Sequence, residues 1–434
     1  MTLWFLAGLL AGGALAGTFA PALGAEPANV LLISVDTLRS DRLGCYGYDR
    51  PTSPGIDALA RRGVRFENVI TESSWTLPSH MTLFTGLVPT THGVTTEERR
   101  LPDEIGTWPE TLRDAGYRTA AYTDGGMIDG RFGFARGFET YDDRPKDPRL
   151  TLYRGLKFVE SAPSDQPWFL FLHTYAVHCP YDPPDEYAQR FRTVGPADTL
   201  AVEGKCGNNF FNALRRTPAQ DRFLSDQYDA GIRAVDEHLR AFFEELESRG
   251  VFDDTWIVLL SDHGEELGEH GRIGHERTLH IETLRVPWIV TGPGLSPGVV
   301  REAVGLVDFV PTFGELLGLP ARASQGISRV AAMRTPGRAG ESAPRFSELD
   351  RHVRLRSLVD DGRHLILGLD GGAVGFFELA TDPWERTNLG AKSSAPWEAR
   401  LRQHFDELPL PAASATTAMP PELVEELKAL GYVQ

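Results

Sequence analysis

Short apolar runs along the chain end on polar residues. NVLLISV (29–35) runs into Asp36, YRTAAY (117–122) into Thr123 and Asp124, and WFLFL (168–172) into His173. TWIVLL (255–260) runs into Ser261, Asp262 and His263, and VPWIV (286–290) into Thr291 and Gly292. Unbroken apolar runs of this length suit strands covered on both faces of a parallel sheet. Helical patterns lie between them over 54–62, 110–115 and, longest, 219–248, where apolar residues recur three and four apart until Gly250 stops the run. Alternating strands and helices predict an α/β fold, a doubly wound and mostly parallel sheet with helices on both faces. Ligands of such sheets sit beyond the carboxyl ends of the strands, and acids and histidines collect there in this chain.

Residues 319–344 are rich in Pro, Gly, Ser and Ala and read as a boundary. Beyond it, short runs at 345–349, 352–359, 364–368 and 375–379 predict a small antiparallel sheet, and 421–430 a terminal helix. At the other end no charged side chain precedes Glu26, and the apolar stretch from Leu3 to Ala20 leads into the small residues of Ala22-Leu23-Gly24-Ala25. That reads as a secretory signal peptide with a cleavage site. An uncleaved anchor is the competing reading, because the segment lacks a basic start and about 18 apolar residues just span a bilayer. Its Gly and Ala content dilutes hydrophobicity and favours cleavage. The division expected is a signal peptide at 1–25, a main domain at 26–330 and a small sheet-and-helix subdomain at 331–434. The location expected is periplasmic or secreted, at a membrane only if the amino-terminal segment is uncleaved. A net charge of −16 excludes nucleic acid as a partner. Cys45, Cys179 and Cys206 allow at most one disulfide, and no CxxC pair suggests a structural zinc.

Asp36 ends one strand and Asp262-His263 end another. Two carboxylates and an imidazole at one sheet edge make a divalent cation site, with Gly264 leaving room for the backbone. Carboxylates favour Ca or Mg, and the His shifts the choice toward Mn or Zn. In SSWTLPSHMTLFTG (73–86), Thr76 reads as a helix cap before Pro78. Beside a cation it reads differently, because coordination makes a hydroxyl a nucleophile near neutral pH. The helix beginning near Pro78 would then aim its amino end at an incoming anion. Metal, hydroxyl and helix end describe transfer of an anionic ester group. Two other motif matches fail. GLSPG (294–298) fits a serine-hydrolase elbow, but no helix follows it. His275 and His280 resemble a zinc-protease pair, but stand five apart and would not share a helical face.

These residues resemble the sulfatase family of the alkaline phosphatase superfamily. The likeness runs from NVLLISVDTLRSDRLGCYG through SSWTLPSHMTLFTGLVPTTHG, GYRTAAYTDGG and WFLFLHTYAVHCPYDPP. It continues through the segment ending in LLSDHGEELGEHG, then ETLRVPWIVTGPG, FELATDPWERTNL and ELVEELKALGY. The resemblance implies that 26–330 is a catalytic domain holding one divalent ion through Asp36, Thr76, Asp262 and His263. The chain also departs from the family. Formylglycine sulfatases carry Cys or Ser in a C/S-x-P-x-R motif, whereas this chain has Thr76 and His80 there. The extra methyl of threonine precludes an aldehyde at Cβ. Thr37 stands where paired acids are usual, and the family's Lys and His of a GKWHLG-type segment are replaced by Thr123-Asp124-Gly125. Threonine nucleophiles are familiar in relatives that cleave or transfer phosphodiesters.

By the same resemblance His178 matches a substrate-side histidine that would protonate the leaving oxygen, or else bonds a loop carbonyl. His275 matches a loop that contacts the anion. His80 would replace the arginine as a donor near Thr76 or face solvent. His92 would stabilise the loop beyond the helix, and Asp229 and Asp236 would be solvated or capping charges. The function expected is an exported, metal-dependent hydrolase of a sulfate or phosphate ester, with Thr76, His178 and His275 catalytic and His80, His178 and His275 binding the anionic substrate. Its covalent ester would be released by water or by an acceptor alcohol. The competing reading is a binding protein that keeps the fold without turnover.

Overall fold

The computed structural model describes residues 28–144, 147–201, 214–338, 340, 342–411 and 415–432. The amino-terminal apolar segment and Cys206 therefore lie outside the described residues. The central sheet comprises β1 (Asn29–Val35), β2 (Val64–Ile70), β3 (Arg118–Tyr122), β4 (Thr140–Asp142), β5 (Trp168–Thr174), β6 (Thr255–Leu260), β7 (Arg285–Thr291) and β8 (Gly298–Val304). Its spatial order is β8-β2-β7-β6-β1-β5-β3-β4. β1 pairs in parallel with both β5 and β6, and β3 with β4 and β5. The exception is β7, antiparallel to β2 and to β6. The chain leaves β6 and enters β7 at the same sheet edge without a crossover helix between them, and such a connection can only pair antiparallel.

Side chains alternate between two apolar layers, as the continuous runs require. Val30 and Leu32 pack with Phe66, Phe169, Phe171, Val258 and Trp288 on one face. Leu31 and Ile33 pack with Leu170, Leu172, Ile257, Leu259 and Ile289 on the other. Helices α1 (Pro54–Arg62), α2 (Thr76–Thr85), α3 (Pro148–Glu160) and α4 (Pro218–Ser248) connect these strands. The GLSPG stretch leads straight into β8, in keeping with its rejection as a nucleophile elbow.

The small sheet, β9 (Arg345–Asp350), β10 (Arg354–Asp360), β11 (Arg363–Gly368) and β12 (Gly372–Glu378), is antiparallel throughout. Its outer face is covered by α5 (Ala391–Glu407) through Leu358, Leu365, Leu367, Phe376 and Leu401. Its inner face puts Leu349, Leu355, Ile366 and Phe377 into the main apolar layer, so the two sheets share a core. Glu348 N donates to Glu72 O at 2.8 Å and Ser347 Oγ to Thr71 O at 2.7 Å, tying the small sheet to the exit of β2. The chain then reaches α6 (Pro421–Ala429), which ends beside the main sheet.

Candidate active site

The carboxyl ends of β1, β2, β5 and β6 meet at one edge and carry the candidate residues. Asp36 follows β1 directly, and its neighbour Thr37 has a left-handed backbone, φ 58°. That conformation is strained for a β-branched residue. It is held by Thr37 N donating to Asp262 Oδ1 at 3.3 Å and Thr37 Oγ1 donating to Asp36 O at 2.7 Å. Leu38 N donates to Ser261 Oγ at 2.8 Å, so the turns after β1 and β6 are fastened to each other. Asp36, Asp262 and His263 offer atoms within 4.8 Å of one another.

Thr76 is the first residue of α2, with Trp75 at the cap position and no capping side chain. The cap reading is thereby overturned, because the hydroxyl turns away from the helix. Thr76 Oγ1 lies 3.2 Å from Asp36 Oδ2 and 3.2 Å from His263 Nε2. His263 Nδ1–H donates to Gly264 O at 2.9 Å, which leaves the Nε2 lone pair facing Thr76 and Asp262. Asp36 Oδ1 and Asp262 Oδ2 are buried without a hydrogen-bond partner. Burial and the charge of Asp262 push the Asp36 carboxyl up. Against the effect of burial, His263 and His80 hold Asp262 down, to about 2. Two buried acids facing each other in this way call for a cation between them, so the donor set fits a divalent ion.

His80 is fully buried, which removes the solvent-facing reading. Its Nδ1–H donates to Thr76 O at 3.0 Å, Ser34 Oγ lies 2.9 Å from its Nε2, and Asp262 Oδ2 is 3.4 Å from Nδ1. His178 Nδ1–H donates to Cys179 O at 2.5 Å, as the loop-carbonyl reading has it, while its Nε2 is buried without a partner. Burial, with His275 alongside, brings His178 down to about 4, so the ring is neutral. His275 Nδ1 meets Glu265 Oε1 at 2.8 Å, and its ring centroid lies 4.5 Å from that of His263 and 5.0 Å from that of His178. His178, His263 and His275 therefore converge beside Thr76.

Two residues enter that sequence reasoning did not single out. His173, the last but one of β5, places Nε2 3.2 Å from Asp36 Oδ2. Tyr432, just beyond α6, brings its hydroxyl 2.7 Å from Thr76 Oγ1, with its ring 5.4 Å from that of His178 and 5.8 Å from that of His275. Arg351 fixes this tail, donating to Tyr432 O at 2.7 Å and lying over the rings of Trp75 and Tyr432. The available signals were a histidine at a strand end and the quoted ELVEELKALGY segment, whose tyrosine is Tyr432.

Asp229 and Asp236 are buried, which overturns the solvated reading. Asp236 does cap, accepting from Gly55 N at 3.0 Å and Ile56 N at 2.7 Å at the start of α1. Asp229 instead binds Arg42, Arg50 and Tyr48 on the far side of the loop after β1. His92 lies 3.3 Å from Thr82 Oγ1 and accepts from Val94 N, holding the loop after α2 as expected. His275 and His280 do not share a helix, since His280 caps the four-residue turn Ile281–Leu284.

A family model described as Sulfatase matches residues 28–319. The N-acetylglucosamine-6-O-sulfatase of Bacteroides thetaiotaomicron is 23% identical, the match covering 87% of this chain and 86% of that protein. The choline-sulfatase of Rhizobium meliloti is 24% identical, covering 88% and 86%. Among solved structures, the phosphonate monoester hydrolase of Agrobacterium radiobacter superposes with a TM-score of 0.71 at 20% identity, over 88% of this chain and 94% of that one. With its mostly parallel sheet and its site at the carboxyl edge, the chain belongs to the sulfatase family of the alkaline phosphatase superfamily.

Proposed function

We propose that the protein is an exported, metal-dependent ester hydrolase in which Thr76 is the nucleophile and phosphorus esters, diesters or phosphonates, are turned over in preference to sulfate monoesters. The observation that carries this is the Thr76 hydroxyl at 3.2 Å from both Asp36 and His263, inside a ring of buried acids with unpartnered oxygens. Sulfatase and phosphonate monoester hydrolase relatives support an ester hydrolase. Asp36, Asp262 and His263, with Thr76, would hold one divalent ion, whose charge would lower the hydroxyl pKa and offset the negative charge of the transferred group. The Thr76 hydroxyl gives up its proton to water, and Oγ1 forms the new bond to phosphorus as the bond to the leaving oxygen breaks. His178 and His275 face the same space. Both rings are neutral at rest, and a bound anion favours their charged forms, from which a proton passes to the leaving oxygen. His80 holds the Thr76 carbonyl and so the first turn of α2. Water, or an acceptor alcohol, then releases the Thr76 ester. Export is supported by the apolar amino-terminal segment and by Cys179, which is disulfide-bonded, a bond rare in reducing compartments.

The test is a panel of aryl sulfates, phosphate monoesters, diesters and phosphonates assayed with and without chelator, with intact-mass trapping of a Thr76 adduct. Chelator-sensitive turnover led by a phosphorus ester is the expected result. Aryl sulfates turned over faster than every phosphorus ester would overturn the reading. One observation favours a second reading, a fold retained for binding without turnover: Tyr432 lies directly against the nucleophile. Protein that takes up no metal and turns over none of the panel would favour it.

A further inference from the structure

The loop between β6 and β7 begins with the Asp262–His263 pair and then forms a second cluster of the same composition. Glu266, in a two-residue strand paired with Ile273–Gly274, His270, in the turn of that hairpin, and Glu282, in the Ile281–Leu284 turn, offer atoms within 4.8 Å of one another. Glu266 and Glu282 are 1% and 3% exposed. Glu266 Oε1 and Glu282 Oε2 are buried without a hydrogen-bond partner, as are Asp36 Oδ1 and Asp262 Oδ2 at the first cluster. The imidazoles match as well. His270 Nε2–H donates to the Glu385 carbonyl at 3.3 Å, and Nδ1 faces Glu282 Oε1 at 2.6 Å. One ring nitrogen committed to a backbone carbonyl and the other turned toward carboxylates is how a metal-ligating histidine is oriented.

We propose that Glu266, His270 and Glu282 form a second divalent cation site, separate from the one beside Thr76, and that its ion is structural. Two carboxylates and an imidazole suit a first-row ion between manganese and zinc. The charge balance agrees with the geometry. Arg272 approaches Glu266 only to 3.6 Å from a partly exposed position, and Arg39 is committed to Asp41 and Glu269. Among the described residues the ion-pair partner of Glu282 is His270. A divalent ion held between Glu266 and Glu282 would satisfy both acids at once.

The support for the cluster comes from the loop after the small sheet. Glu385 has a left-handed backbone, φ 55°, which fits it to face the cluster with both its carbonyl and its carboxylate. Its carboxylate accepts from His280 Nδ1 at 2.6 Å, from Ile281 N at 3.2 Å and from the buried His364. The His280 ring stacks on that of His270 at 3.7 Å. An ion at this point would therefore pin the loop carrying Asp262 and His263 to the carboxyl-terminal sheet.

The proposal is independent of the reaction assigned to Thr76, and ion counting separates the two. Full-length protein stripped with chelator is dialysed against Zn2+ and its bound metal is measured, in wild type, Asp262→Asn/His263→Ala, Glu266→Gln and the triple variant. Two ions per chain are expected in wild type, one in the double variant, one in Glu266→Gln and none in the triple variant. Zn2+ should also raise the melting temperature of the double variant and not that of the triple. His270→Asn serves if Glu266→Gln does not fold. A double variant that binds no ion, or a second ion that survives both Glu266→Gln and His270→Asn, would overturn the proposal.

Discussion

At the scale of single residues the site turns on a hydroxyl that makes no contact with its own helix end. Thr76 Oγ1 is shared among Asp36, His263 and Tyr432. Thr76→Ala should lower kcat on the order of 10³-fold or more, while the protein still binds its ion through the three remaining side chains. Thr76→Ser should retain part of the rate, because it keeps the oxygen and loses only the methyl that fixes its rotamer. Steady-state kinetics with metal analysis of each variant checks both. Tyr432 gives the opposite expectation. Its ring fills the space between His178, His275 and Thr76. Tyr432→Ala should therefore raise kcat/KM several-fold for bulky esters, and an unchanged value would mean the tail does not limit access.

At the scale of elements, the strands of β1, β5 and β6 and the helices α1 and α4 were legible because their apolar periods are strong. The ends of those strands supplied Asp36, Asp262 and His263. α5 was not legible, since Pro396 interrupts its pattern. β2 was missed because Arg65, Glu67 and Asn68 break its apolar run. Tyr432 and His173 escaped for another reason: their roles are contacts across long sequence separations, which no local period encodes. β2 also leads to Glu72, whose carboxyl is pushed by burial and by Asp308 from 4.5 up to about 8. Between those values the folded chain holds a proton that the unfolded chain has lost, so stability falls as pH rises through the window. Glu72→Gln keeps an acceptor for Val307 N and removes that dependence. It should stabilise the protein at pH 8 by up to roughly 4 kcal/mol and much less near pH 5, measured by urea unfolding at both.

At the scale of the molecule, the main sheet and the small sheet share a core, and the site lies where the loops of both meet. The change from the main sheet to the small one is a change of architecture and not a seam in packing. An ion bound only by the folded chain adds stability by mass action, about 2.7 kcal/mol when present at 100 times its Kd. For a chain of this length that corresponds to a rise in Tm of roughly 3 °C, so scanning calorimetry with and without chelator should show a shift of this size. The closed tail has a kinetic consequence. Asp36, Thr76 and His263 are fully buried and the Tyr432 hydroxyl sits against Thr76 Oγ1, so an ester reacting at Thr76 would have to displace that ring. Each turnover must then include one excursion of the tail, and the rate of that excursion is a ceiling on kcat. Segments that open this way exchange their amide hydrogens well before the rest of the fold. Residues 421–432 should exchange early and β1 last, and the opening rate read from their exchange should equal or exceed kcat for the best substrate.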